Sequence, residues 1–171
     1  MKKILLVVLA MIFLSGFISI AFAEVTQKED KFTGEVIIQT KPNGRLLYSS
    51  PTLWVLTGFK GKTKLGFAAA FVFSHDSWKY LECHSVYLLI DGNRFRPIKT
   101  KHKGSIGRGF VIEYIQLDLT FEELELLSKA ERLEIKVCNE IFVPDKDGTL
   151  MTDLRNFVQK VKSYEEELKQ K

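Results

Sequence analysis

Residues 86–98 read VYLLIDGNRFRPI, and this stretch decides the fold class. Val86 to Ile90 is a run of β-forming residues, and Asp91-Gly92 is a pair that accepts the positive φ of a tight turn. Arg94 to Ile98 then resumes an extended chain. Two extended runs joined by Asp-Gly predict an antiparallel hairpin.

The segments on either side extend the same pattern. Downstream, Gly104, Gly107 and Gly109 mark a turn, and Val111, Tyr114, Ile115, Leu117 and Leu119 fit a half-buried strand. Thr120 with Glu123 three residues later forms a capping box, which predicts a helix to about residue 130 with Phe121, Leu124 and Leu127 inward. Leu133, Ile135 and Val137 alternate with Glu134, Lys136 and Cys138 as a further strand, and Pro144 ends a short extended piece at 141–143. Thr149 or Thr152 then opens a terminal helix. Its apolar stripe of Leu150, Leu154, Phe157, Val158, Val161, Tyr164 and Leu168 is spaced to dock on a sheet.

Upstream, 53–59 and 65–73 read as strands around a tip at Lys60-Gly61-Lys62. Ala68 to Ala70 also suit a helix, but Phe67, Phe71, Val72 and Phe73 favour a strand. Lys41-Pro42-Asn43-Gly44 is a turn between the extended runs 33–40 and 45–49. Roughly six to nine strands with two helices predict an α+β fold. It is mainly antiparallel β-sheet, or a β-sandwich, with a short inserted helix and a C-terminal amphipathic helix. A single domain over 33–171 is expected behind a charged, flexible leader at 24–32.

Residues 1–23 carry an address. Lys2 and Lys3 precede an apolar run from Ile4, and Ala21-Phe22-Ala23 supplies small residues before Glu24. This predicts a cleavable signal peptide with transient membrane contact, and export first to the periplasm, secretion being the second reading. An uncleaved anchor is the third, because the apolar segment reaches the length of a membrane span. Cleavage would leave 148 residues, enough for a core without metal. Of the net charge of +4, Lys2 and Lys3 supply two, so the remainder carries +2. That balance argues against nucleic acid as a partner. An oxidising compartment makes a Cys83–Cys138 disulfide an open alternative to two independent thiols.

Most motifs that imitate active sites fail on spacing. Gly61-Lys62-Thr63 resembles the end of a phosphate loop, but the pattern needs glycine where Leu56 stands. Ser74-His75-Asp76-Ser77 has the residue types of a hydrolase triad, yet neighbours in one extended segment do not converge. Cys83 and His84 are neighbours that face opposite sides of an extended chain, so the thiol has no base in reach, and His75, Asp76, His84 and Cys138 lack the close ligand spacing of a zinc site. A hydrolase or metal-dependent enzyme around His75, Asp76 and His84 is therefore the alternative reading. Glu113, set among apolar β residues, needs a partner, for which Arg94 or Arg96 is available. As one of a glycosidase pair it would need a second carboxylate, from Asp91 or Asp118.

The main candidate is the basic run 94–108. Arg94, Arg96, Lys99, Lys101, Lys103 and Arg108 occur there with His102 and without an acidic residue. Lysines alternating along an extended segment share a face and can meet an anionic surface. The same lysines can also serve only to keep a sheet edge from aggregating. The expectation is a non-enzymatic binding or accessory domain that contacts an anionic envelope component or a partner protein, with no cofactor implied.

Overall fold

A computed structural model describes residues 25–40 and 51–170. The signal segment, the turn at 41–44 and the extended run 45–49 lie outside the described residues. Among the described residues, ten strands form two antiparallel sheets. The larger contains β1 (Val25–Glu29), β2 (Glu35–Thr40), β3 (Thr52–Lys60), β4 (Thr63–His75), β7 (Thr100–Ile106) and β8 (Val111–Leu117) in the order β1-β2-β3-β4-β8-β7. The smaller contains β5 (Val86–Ile90), β6 (Asn93–Arg94), β9 (Leu133–Val137) and β10 (Glu140–Phe142) in the order β10-β9-β5-β6. The helices are α1 (Phe121–Ser128) and α2 (Thr149–Gln170). This is the α+β, sandwich-like architecture that the alternation predicts.

The 86–98 hairpin forms with Asp91 at φ 51° and Gly92 at φ 81°, the two positive values its turn demands. The Asp91 carboxylate also accepts from the Glu131 and Arg132 N–H groups at 2.9 and 2.8 Å, tying the turn to the start of β9. The regular returning strand is only Asn93–Arg94, but Phe95 N–H still donates to the Leu88 carbonyl at 3.0 Å and Ile98 bridges Val86 before the chain enters the larger sheet as β7. Residues 25–29, within the segment expected to be a leader, form the edge strand β1, paired along its whole length with β2. Its outward side chains give little apolar signal, so backbone pairing is what orders it.

One face of the larger sheet builds the core. Ile38, Val55, Phe59, Phe71, Phe73 and Ile115 point inward from β2, β3, β4 and β8. Helix α2 covers β1, β2 and β3, burying Met151, Leu154, Phe157, Val158 and Val161. Phe73 meets Phe142 of β10 with ring centroids 5.9 Å apart, where the smaller sheet closes over the other half. Helix α1 carries the predicted capping box at Thr120 and Glu123. Hydrogen bonds from Lys129 and from Lys162 of α2 hold the Glu125 carboxyl low, at about 2, and so link the two helices. Cys83 and Cys138 are disulfide-bonded across 55 residues, with Cα atoms 6.0 Å apart. Cys138 stands at φ 55° in the β9–β10 turn, so its side chain leaves the strand alternation and reaches back to the 76–85 connection.

Candidate functional site

Two constellations stand out, one buried and one open. The buried one centres on Glu113 of β8, which is completely inaccessible to solvent. Its carboxylate accepts from the Lys79 N–H at 2.9 Å and the Tyr80 N–H at 2.9 Å, and it lies 2.9 Å from His102 Nε2 of β7. An ionised Glu113 requires the proton on Nε2, so the partner predicted to be Arg94 or Arg96 is instead a histidine and two main-chain amides. Arg96 is occupied elsewhere. Its guanidinium makes two bonds to Glu123, at 2.5 and 2.7 Å, and one to the Asp118 carbonyl at 2.8 Å. Arg94 is exposed on β6.

This arrangement fastens the 76–85 connection across the sheet. Tyr80 is buried beside Phe73, and its hydroxyl donates to Glu140 at 2.8 Å. Burial first, and the Glu140 carboxylate second, push that phenol far above the usual range. His75 stacks on Phe73 and meets Tyr80 edge-on, and burial together with the nearby Lys79 holds its imidazole below the ordinary range. His84 lies 6.0 Å from the His102 ring. His75 and His84 therefore belong to separate ring contacts, and Asp76 is exposed. Among the described residues no group of three or more His, Cys, Asp or Glu is placed to hold a metal ion. Cys83, bonded to Cys138, offers no free thiol. Gly61 sits at φ 58° in the β3–β4 turn, a hairpin tip with no helix behind it. The Glu113 group is chemically a clamp, with every oxygen used to satisfy the backbone or His102.

The open constellation lies on the opposite face of the larger sheet. Strand pleating sends Trp54 and Leu56 of β3, Ala68, Ala70 and Val72 of β4, and Tyr114 and Gln116 of β8 to that side. They line a trough of about 600 Å³ together with Lys103, Gly104 and Ser105 of β7. The small residues of β4 form its floor, and the Trp54 and Tyr114 rings approach across it with centroids 6.5 Å apart. Ala70 and Val72 are only 4% and 2% exposed, because the two rings meet above that part of the floor, and half-buried Ala68 is its more open end. No carboxylate lines the trough.

The basic run divides at this sheet. Lys101 and Lys103 alternate on the trough side of β7, opposite Gln116 and Tyr114, and both are exposed. Lys99 precedes the strand and its carbonyl accepts from Asp118 N–H, while Arg108 is exposed in the turn before β8. Among the described residues, none of Arg94, Lys99, Lys101, Lys103 and Arg108 forms a salt bridge, whereas Arg96 does. The trough itself escapes a sequence reading, because strand order decides which outward faces adjoin. Its one signal is that 53–56 and 67–73 are apolar at both parities, the pattern of strands with two apolar faces. Compared with known proteins, the chain matches no family model, no curated protein and no solved structure.

Proposed function

We propose that this chain is an exported, non-enzymatic binding domain that docks onto an anionic component of the cell envelope. Its contact surface is the Lys101–Lys103 edge of the larger sheet with the apolar trough beside it. The observation that carries this reading is the pairing of two exposed, unbridged lysines with an acid-free apolar trough on one sheet face. Lysines that served only to protect the edge would need no apolar neighbour. The Cys83–Cys138 bridge is compatible with an oxidising exported compartment. No described helix is long and apolar enough to cross a membrane.

The test is co-sedimentation with vesicles of phosphatidylglycerol and phosphatidylcholine against vesicles of phosphatidylcholine alone. Binding should require the anionic lipid, weaken as salt is raised, and disappear in the Lys101→Glu/Lys103→Glu variant. Equal binding of that variant overturns the proposal. Retention of a soluble envelope protein in place of lipid would move the partner to the protein class.

A further inference from the structure

We infer that the trough is a seat for a single acyl chain of a fatty carboxylate, whose head group lies at Lys103. This rests on the reading of the lysine edge as the contact surface, and it names the ligand class. The shape comes from a sequence contrast between neighbouring strands. β4 presents Ala68, Ala70 and Val72 where its flanking strands present Trp54, Leu56 and Tyr114, so small residues run between two bulky walls. The channel follows β4 from its open end at Ala68, and a chain that reaches Val72, about 13 Å away at strand rise, parts the Trp54 and Tyr114 rings that meet above the floor. Its volume of about 600 Å³ falls within the range of small-ligand sites.

The chemistry of the lining selects the occupant. A polymethylene chain asks for no hydrogen bonds, and the floor offers only apolar side chains. An extended peptide laid there would bury main-chain N–H and C=O groups against alanine and valine, with only the few polar groups of the rim, Gln116 and Ser105 among them, to pair any of them. A neutral hydrocarbon would leave the lysines without a role. Lys103 stands opposite Tyr114 at the trough wall, with the Ser105 hydroxyl two residues on and Lys101 two residues before. This supplies cationic and hydrogen-bonding groups for one carboxylate at the side of a channel whose walls are apolar apart from Gln116 and the Tyr114 hydroxyl.

The two tryptophans make the test direct. Trp54 forms the trough wall, while Trp78 packs on the other side of β7 against Gly104 and His102. In a Trp78→Phe protein, Trp54 is the only tryptophan. Titration with dodecanoate, below its micelle concentration, should shift Trp54 emission saturably. Dodecanol should bind roughly tenfold or more weakly, and Lys103→Glu should weaken dodecanoate by a similar factor, since each removes one close charge pair. Ala68→Leu, which fills the floor at a half-buried position, should weaken both ligands about tenfold or more. If the leucine variant fails to fold by circular dichroism, Ala68→Ser replaces it and should weaken both ligands by roughly threefold or more. Dodecanol binding as well as dodecanoate, or full affinity after the Ala68 change, overturns the inference. Anionic-vesicle binding that is lost with Lys101→Glu/Lys103→Glu yet unchanged by Ala68→Leu would retain the lysine contact and reject the acyl seat. Loss of neither rejects both.

Discussion

Replacing Glu113 should damage this protein more than any other single change at a polar residue. The carboxylate is completely buried and takes three donors, the amides of Lys79 and Tyr80 and the His102 ring. Glu113→Ala leaves all three without an acceptor. An orphaned buried donor costs about 1–3 kcal/mol. The Lys79 amide is only part-buried and can turn to water, so two orphaned donors remain and their sum is about 2–6 kcal/mol before any cavity contribution. Glu113→Gln should cost less. Tyr80 N–H and His102 both end on Oε1, which an amide oxygen can replace, but the new NH₂ then faces the Lys79 N–H. One mismatched contact of that kind costs about 1–3 kcal/mol. Urea unfolding at neutral pH with the disulfide intact measures both variants, and amide hydrogen exchange at Tyr80 localises the effect. An alanine variant within about 1 kcal/mol of wild type, or one with unchanged Tyr80 protection, would refute the clamp.

Three further outcomes follow from the same geometry. Removing the Cys83–Cys138 bridge by a double serine substitution should lower stability by about 4 kcal/mol, from the entropy of a loop of this length; calorimetry checks it. Gly104→Ala puts a Cβ 2.7 Å from Trp78 Cη2, closer still to Cζ3, and 3.0 Å from the Ile112 carbonyl. Trp78 must move, so emission should change with a loss of about 1–3 kcal/mol. Burial and Lys79 hold His75 below its ordinary value, so the unfolded chain takes up that proton more readily. The contribution from His75 is therefore intact above about pH 6.5 and is lost as pH falls through that value toward the lower folded one. His75→Leu should flatten the stability profile in that window when unfolding is followed at stepped pH.

The sequence was most legible where local chemistry settles the structure. Asp91-Gly92 forces a hairpin through its backbone angles, and Thr120 with Glu123 caps a helix whatever lies around it. The terminal stripe is readable from Leu150 through Leu168, all of it packed on the core, although Met151, buried at the start of the helix, belongs to the same face without standing out in the sequence. What stayed hidden depends on non-local pairing. β1 has mostly exposed side chains and is ordered by its register with β2. Glu113 announced that it needed a partner, but the register of β7 against β8 and the path of 76–85 supply His102 and two amides in place of an arginine. The basic run looked continuous because sequence does not mark the change of sheet between β6 and β7. That change separates Arg94 from Lys101 and Lys103, and Glu123 engages Arg96. The trough requires three strands from distant parts of the chain to lie side by side, which periodicity within one strand does not reveal.

The proposal as a whole turns on whether the position of the lysines matters, and not merely their charge. The decisive measurement compares anionic-vesicle binding of Lys101→Glu/Lys103→Glu with that of Lys136→Glu/Lys160→Glu. The second pair makes the same change in net charge on exposed residues of β9 and α2. The account predicts loss of binding in the first variant and near wild-type binding in the second. Equal loss in both, or binding retained by the first, would contradict it.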